Sequence, residues 1–310
     1  MSQTKHPMKL DAGESVFFKR ELEYVKAQTY DTKQKVLKAI VLFPVSGEAG
    51  PGATEITFRK YTGVGFAKVI ADYANDFPRV DVYGEEVTRK VKGLGDSYGY
   101  SIEEIRASQM ANKRLDQRRA NAARRAQDEL VDRIAWNGLT MYNIPGFINY
   151  PGISEYTVPA DGTGSTKTWS TKTADQILRD MNGLAAKVVE VTSGREIPDT
   201  LLLPLAQYNL ISTMRVGTQS DTTVLQYFLK TSPYIKAVEW LNELDAAGAS
   251  ATDRMMVYAR DAEHLTLEIP QPFEQFDAVQ KGMAFEIPCH SKTAGVLVYY
   301  PLSIAFGDGI

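Results

Sequence analysis

Cysteine and histidine are scarce in this sequence. The chain has one cysteine, Cys289, and three histidines, His6, His264 and His290. A single thiol cannot form an intrachain disulfide or supply a cysteine-based zinc site, and three histidines are few for histidine-based metal chemistry. We therefore expect no bound metal and no cofactor.

Long hydrophobic runs are also missing. The N-terminal residues MSQTKHPMK lack the apolar core of a signal peptide, and no segment reaches the roughly 18 apolar residues of a membrane span. We therefore expect a protein that stays in the cytoplasm and has no membrane partner. Of its 310 residues, 44% are hydrophobic and 24% are charged, which is typical of a folded globular chain of about two domains.

A strong excess of one charge is absent as well. The net charge is −3, but residues 1–136 hold 23 Lys and Arg against 19 Asp and Glu, whereas the remainder holds 12 against 19. The mild positive excess of the first part is compatible with loose contact with nucleic acid. It is far below the basic footprint of a dedicated nucleic-acid-binding protein.

A stretch without proline or glycine, residues 101–136, predicts the longest helical region of the chain. Ser101 and Glu104 form the S-x-x-E pattern of a capping box, so the helix should begin there. The apolar register changes near residues 112–114, where we expect a break. The part after the break, residues 115–136, should be about 33 Å long at ~1.5 Å per residue.

The second part of this region has a narrow apolar face made largely of alanine. Its predicted members are Leu115, Ala122, Ala123, Ala126, Leu130, Ile134 and Ala135. A long amphipathic helix buries its apolar stripe against another layer, and we predict that this one lies across a sheet. The other faces carry many arginines, so one side should be markedly cationic.

Residues 54–91 alternate between apolar and polar side chains in two strand-like runs. Ile56 and Phe58 share one side of the first run, and Val80 and Val82 begin the return run. Charged residues occur all along both runs. Because an isolated two-stranded ribbon is only marginally stable in water, we predict a projecting hairpin that lies on another subunit.

Two shorter segments precede this hairpin. Residues 14–28 carry three large apolar side chains at helical spacing, which predicts a short amphipathic helix. Residues 39–45 predict a short apolar strand. Glycine and proline at residues 50–52 predict a turn after it.

The region after the long helix alternates between helices and strands. Residues 157–171 have the composition of a linker and predict a domain boundary. Thr173 and Gln176 then form a second capping box, which begins a helix. The inward-facing side chains predicted on this helix are Ile177, Leu178, Met181, Leu184, Ala185 and Val188. Further helices should begin near residues 205 and 222.

Strands complete this second part and the C-terminus. The predicted strands are residues 200–203, 235–240, 255–258, 264–269, 283–287 and 294–300. The first three alternate with helices, as in an α/β domain. The last three have no helix between them, so we expect them to pair with each other and with the sheet under the long helix.

Several separated phrases of the sequence resemble one protein family and occur in that family's order. They are ELEYV at 21–25, YGYSIEEIR at 98–106, NAARRA at 121–126, LLP at 202–204 and VYYPL at 298–302. The order of arm, hairpin, long helix, inserted α/β part and C-terminal strands is also similar. The chain thus resembles the tailed-phage (Caudovirales-type) major capsid proteins, whose capsid fold is shared with encapsulin shells.

The resemblance covers nearly the whole chain and implies an α+β fold with named parts. These are an N-terminal arm at 1–30, the start of a peripheral domain at 31–51, an extended-loop hairpin at 52–95, the peripheral domain with its long spine helix at 96–171, an axial α/β domain at 172–260, and C-terminal strands of the peripheral domain at 261–310. The spine helix itself would span about 115–136.

The function implied by the resemblance is structural, not enzymatic. Pentamers and hexamers of the chain would self-assemble in the host bacterial cytoplasm into an icosahedral phage head, the virion capsid, which encloses double-stranded DNA without reading its sequence. Scaffold, portal and decoration proteins would be separate partners. An encapsulin-like protein compartment is the alternative within the same fold.

The resemblance also assigns contact residues. The hairpin would lie over the adjacent subunit through Arg59, Lys60, Phe66, Lys68, Arg79, Glu85, Glu86 and Arg89. Spine helices face the shell interior, so Arg114, Arg118, Arg124 and Arg125 would form an interior basic face toward DNA phosphates. The alternative for these arginines is pairing with carboxylates of their own chain.

One alternative of another class is a serine hydrolase. Residues 95–99, GDSYG, match G-x-S-x-G between a predicted strand and a helix, and both His264 and His290 follow later in the chain. Three cations in the preceding strand, and a helix that begins at Ser101 instead of Ser97, argue against this hypothesis. Adjacent Cys289 and His290 point to opposite faces of a strand and cannot form a dyad.

Overall fold

The computed structural model describes residues 33–68, 78–110, 117–217 and 221–310. The predicted arm, the tip of the predicted hairpin and the predicted break at 112–114 lie outside these residues. The chain divides into two units after Val36. Residues 33–36, the described part of the first unit, contain no helix or strand. All the described helices and strands belong to the second unit, Leu37–Ile310.

The described residues form six α-helices and sixteen strands. The helices are α1 (Ala39–Leu42), α2 (Ile102–Met110), α3 (Arg118–Asn137), α4 (Ala174–Val191), α5 (Leu205–Thr213) and α6 (Val224–Thr231). The first eight strands are β1 (Val45–Ser46), β2 (Glu55–Val64), β3 (Asp81–Lys90), β4 (Lys92–Ser101), β5 (Gly138–Leu139), β6 (Ile144–Pro145), β7 (Ser154–Glu155) and β8 (Thr200–Leu203). The others are β9 (Ala237–Trp240), β10 (Arg254–Tyr258), β11 (Leu265–Glu268), β12 (Gln271–Gln275), β13 (Val279–Lys281), β14 (Ala284–Thr293), β15 (Gly295–Val298) and β16 (Ala305–Asp308).

A five-stranded sheet in the order β7-β16-β10-β8-β9 forms the centre of the α/β part. Its helix α4 begins at the predicted capping box, in which Gln176 Oε1 accepts from the Thr173 amide at 2.8 Å. All six side chains predicted to face inward from this helix are buried. They pack against β8 and β10, so the sequence pattern and the observed core agree here.

A second sheet lies under the long helix. Strand β14 pairs with β4 in ten consecutive antiparallel pairs, from Thr293 opposite Lys92 to Ala284 opposite Ser101. Strands β12 and β13 also pair with β14. Helix α3 packs across β4 and β14, which confirms the predicted position of the helix and the return of the C-terminal strands to this region.

The buried face of α3 agrees with the prediction at Ala123, Ile134 and Ala135 and departs from it elsewhere. The buried residues are Ala123, Gln127, Val131, Asp132, Ile134, Ala135 and Trp136, whereas Ala122 and Ala126 are exposed. Gln127 occupies a core position because its amide donates to Asp96 Oδ1 at 2.6 Å. A polar side chain with a hydrogen-bond partner can therefore occupy a core position for which the sequence pattern predicts alanine.

Residues 39–42 form a helix, so the strand predicted for residues 39–45 is wrong except at its end. The buried carboxylate of Asp132 accepts from the Ala39 amide at 2.8 Å, which satisfies a free N–H group at the start of α1. Phe43 follows this turn and lies 4.7 Å from the Trp136 ring. Long-range packing thus converts an apolar segment into a helical turn.

The C-terminal end also departs from the prediction. Strand β16 was not predicted, and it lies between β7 and β10, so the chain ends in the five-stranded sheet. Arg254 on β10 fastens it through two hydrogen bonds to Asp308, at 2.7 and 2.8 Å. Burial would raise the pKa of Asp308, but the bond from Arg254 and further contacts outweigh this effect and hold the pKa below its usual value.

The segment with linker composition, residues 157–171, is packed in the structure. Val158 and Trp169 are buried in the core of the α/β part. Lys172, at its end, forms a fully buried ion pair with Asp180 at 2.5 Å. The domain boundary predicted near this segment stays a prediction. Among the described residues, no helix combines the length and the apolar character that crossing a membrane requires.

Candidate interaction surfaces on the hairpin and the long helix

Strands β2 and β3 form the predicted hairpin. Ten consecutive antiparallel pairs join them, from Glu55 opposite Lys90 to Val64 opposite Asp81. At ~3.4 Å per residue the paired region is about 31 Å long. We call pairs 55–60 with 85–90 the proximal half, and residues 61–68 with 78–84 the distal half.

The proximal half is attached to the rest of the chain. The Phe58 ring meets the Tyr299 ring edge-on at 4.9 Å, and Arg89 Nη2 donates to Tyr150 Oη at 3.2 Å. The Val91 amide also donates to the Thr54 carbonyl at 2.8 Å. These contacts hold the base of the ribbon against the remainder of the second unit.

Charged side chains of the proximal half pair across the ribbon. Arg59 Nε lies 2.7 Å from Glu86 Oε1, and Lys60 stands opposite Glu85 in register. Burial lowers the pKa of Lys60, while Glu85 acts in the opposite direction. The structure therefore brings four of the predicted contact residues together as pairs within one chain. A further contact with another subunit stays a prediction for them.

The distal half exposes large apolar side chains on both faces. They are Tyr61, Val64, Phe66, Val80, Val82 and Tyr83, and each is between 54 and 70% exposed. Gly84 lies beneath the Tyr61 ring, where an added Cβ would be 3.2 Å from the ring, so glycine allows the ring to lie close to the ribbon. Apolar clusters of this kind on a soluble protein mark contact sites.

Of this apolar group, only Phe66 is among the contact residues predicted from the sequence, because that prediction gave most weight to charged side chains. The signal was present in the alternation of residues 61–66 and 80–83. Lys68 and Arg79 also lie in the distal half and are exposed. The distal half therefore combines two cations with the six apolar side chains.

The predicted basic face lies in part on α3. Arg114 is outside the described residues, and Arg118 is exposed near the start of the helix. Arg125 Nε lies 2.8 Å from Glu129, and Arg124 Nε lies 3.9 Å from Asp128, each one helical turn away. Both alternatives thus have support, because Arg124 pairs loosely and its side chain stays 68% exposed.

Ser97 lies inside strand β4 and not at a turn between strand and helix. Its Oγ donates to Glu286 Oε1 at 2.6 Å, and Pro288 stands opposite it in register. The nucleophile elbow that the hydrolase alternative requires is therefore not formed: the glycines around Ser97 pair with β14 as a continuous strand and make no sharp turn. The imidazole of His264 contacts Glu196 at 2.5 Å, whereas Ser97 bonds Glu286.

Cys289 is buried, and its neighbour His290 is partly exposed, as expected for adjacent residues of one strand. Burial raises the pKa of the Cys289 thiol, which makes a reactive thiolate less available. Within the part of the chain that the structure describes, no group of His, Cys, Asp and Glu is arranged to hold a metal ion.

The sequence model of a family described as "Major capsid protein" matches residues 65–310, which is most of the chain. No curated protein matches the sequence.

Solved structures share the fold at low sequence identity. The capsid of Myoviridae phage XM1 matches with a TM-score of 0.80 and 19% identity, over 96% of this chain and 99% of that one. The capsid of an empty GTA particle matches with a TM-score of 0.62 and 10% identity, over 94% and 96%. A virus-like particle from Pyrococcus furiosus matches with a TM-score of 0.55 and 11% identity, over 87% and 91%.

Proposed function

Because this chain belongs to the major capsid protein family, we propose that copies of it assemble into pentamers and hexamers of an icosahedral phage head that encloses double-stranded DNA. The protein is a structural component of the capsid, and its location is the virion. Its function then depends on interfaces between copies. The same proposal includes the domain boundaries predicted from the sequence. It also includes scaffold, portal and decoration proteins as separate partners.

The exposed distal half of the hairpin is the observation that supports assembly. Its six large apolar side chains lie on a two-stranded ribbon, which has no helix or third strand paired to it among the described residues. Such a ribbon is marginal in water unless another surface covers it. A second copy of the chain is the proposed cover. We add the six apolar residues to the charged hairpin contacts predicted from the sequence.

The interior basic face is proposed to contact DNA phosphate. Arg118 and Arg124 are exposed on α3, and contacts between arginine and phosphate bind without reading the base sequence. Arg125 contributes less, because Glu129 already holds its guanidinium at 2.8 Å. Particles from infected cells should therefore contain nuclease-protected double-stranded DNA.

Electron microscopy of the protein expressed alone tests assembly directly. Wild-type protein should form closed shells, alone or with a scaffold protein added. Deletion of residues 60–90 should leave a soluble subunit that forms no shells, because this deletion removes the whole distal half. Shells that persist after the deletion would remove the role assigned to the hairpin.

A second candidate function is a protein compartment, because the virus-like particle from Pyrococcus furiosus shares this fold. An encapsulin-like compartment would use the same hairpin and the same type of shell. The contents separate the two functions: a compartment would hold a protein cargo, whereas a phage head would hold DNA. Mass spectrometry and nuclease digestion of purified particles measure both.

A further inference from the structure

A polar pocket of about 420 Å³ lies at the base of the hairpin. Its polar side chains are Arg89 from β3, Asn137 from the end of α3, and Thr140, Asn143 and Asn149 from the following loop. Arg89 is the one charged residue among those that line it. The pocket thus offers a single positive charge surrounded by neutral amide and hydroxyl groups.

Close backbone packing builds the wall of this pocket. A Cβ added to Gly146 would lie 2.3 Å from the Trp136 carbonyl oxygen, so only glycine allows the loop to approach the end of α3. The Phe147 amide donates to the Ala135 carbonyl at 2.9 Å, and Asn143 adopts the left-handed conformation with φ of 56°. The asparagines are therefore held by a fixed loop.

The guanidinium of Arg89 is incompletely paired. Its Nη2 donates to Tyr150 Oη at 3.2 Å, but its Nε is buried and has no hydrogen-bond partner. No carboxylate of the described residues forms an ion pair with Arg89, in contrast to Arg59 on the same ribbon. A buried donor without a partner is unfavourable, and an arginine edge matches the two oxygens of a carboxylate.

We propose that this pocket binds an Asp or Glu side chain of a second copy of the chain. One positive charge balances one carboxylate, and the asparagine amides can donate to its remaining lone pairs. The pocket adjoins the hairpin, which is the proposed contact between copies, so this inference rests on the proposed assembly. The chain itself supplies acids, with 38 Asp and Glu against 35 Lys and Arg.

Substitution of Arg89 tests the role of the charge. Arg89→Gln should raise the protein concentration needed for shell assembly roughly tenfold, as expected for the loss of a charge-assisted hydrogen bond. Arg89→Lys should require a protein concentration between those of Arg89→Gln and wild type, because lysine keeps the charge and lacks the planar guanidinium edge. Arg106→Gln is the matched control, since Arg106 is exposed on α2 and pairs with Glu103; it should assemble like wild type.

Light scattering and electron microscopy measure assembly, and circular dichroism confirms that each variant folds. If wild-type protein forms shells and Arg89→Gln forms them at the same protein concentration, the proposed role of the pocket is wrong, and the proposed assembly is unaffected. An absence of wild-type shells under all conditions would overturn both proposals.

A density map of the assembled wild-type shell decides the point even if Arg89→Gln does not fold. An Asp or Glu oxygen of a neighbouring copy within hydrogen-bond distance of the Arg89 guanidinium supports the proposal. A pocket that holds only water, a solvent anion or a carboxylate of the same chain overturns it.

Discussion

Replacement of Tyr61 by alanine is the sharpest test of the apolar contact. Tyr61 is 69% exposed in the distal half, beside Val82 and above Gly84. The substitution removes the ring and leaves the backbone pair with Gly84 in place. The fold of the subunit should therefore change little, while any contact of the ring with a second copy is lost.

The size of the effect follows from the exposed area. An aromatic side chain carries roughly 150–250 Å², so an exposure of 69% leaves roughly 100–170 Å² available for a partner. At about 25 cal/mol/Å² this area corresponds to about 2.5–4 kcal/mol as an upper limit. Incomplete coverage and ordering costs reduce it, so we expect about 1.5–2 kcal/mol per contact, or roughly a ten- to thirtyfold change.

The assay is the protein concentration at which shells appear, followed by light scattering and checked by electron microscopy. Thr57→Ala is the control, because Thr57 lies on the same strand and the same face in the proximal half, where it bonds Thr88 at 2.8 Å. Tyr61→Ala should require a ten- to thirtyfold higher concentration, and Thr57→Ala should behave like wild type. If Tyr61→Ala assembled at the wild-type concentration, the apolar contact would be refuted.

Two predictions concern stability and are measured by thermal and chemical denaturation of the subunit. Lys172→Met should lower the free energy of unfolding by about 3 kcal/mol, because it leaves the Asp180 carboxylate buried without its closest cation. The control Lys167→Met, at an exposed lysine, should leave the free energy of unfolding unchanged. Equal losses in the two variants would contradict a role for the buried ion pair. Arg119 holds the pKa of Glu104 at about 2, below its unfolded value of about 4.3. A lowered pKa stabilises the folded state at pH values above the unfolded pKa, and this stabilisation is lost as the pH falls toward 2. Glu104→Gln should therefore have a lower melting temperature than wild type at pH 7 and the same melting temperature near pH 2. A difference in melting temperature that persisted at pH 2 would contradict this prediction.

Local signals explain what could be predicted. The capping boxes at Ser101 and Thr173 are correct because each satisfies free N–H groups with a side chain three residues away. The prediction for the buried side of α4 is correct at its six apolar residues because their spacing is regular. The buried Asp180 on the same helix is paired with Lys172 and does not disturb them. The strand predicted at 200–203 is correct because three consecutive leucines bounded by Thr200 and Pro204 form a short apolar run that is stable only in a core.

By itself, the sequence therefore determined the order of most elements, the starts of two helices, the α/β core and the two-stranded ribbon. Only the tertiary structure decided that Gln127 and Asp132 are core residues, that residues 39–42 turn into a helix, and that β16 enters the five-stranded sheet. It also decided that Arg59 is paired while Arg89 Nε is not. The reason is physical: a polar group can be buried wherever a partner distant in sequence meets it, and nothing in the local pattern records that partner.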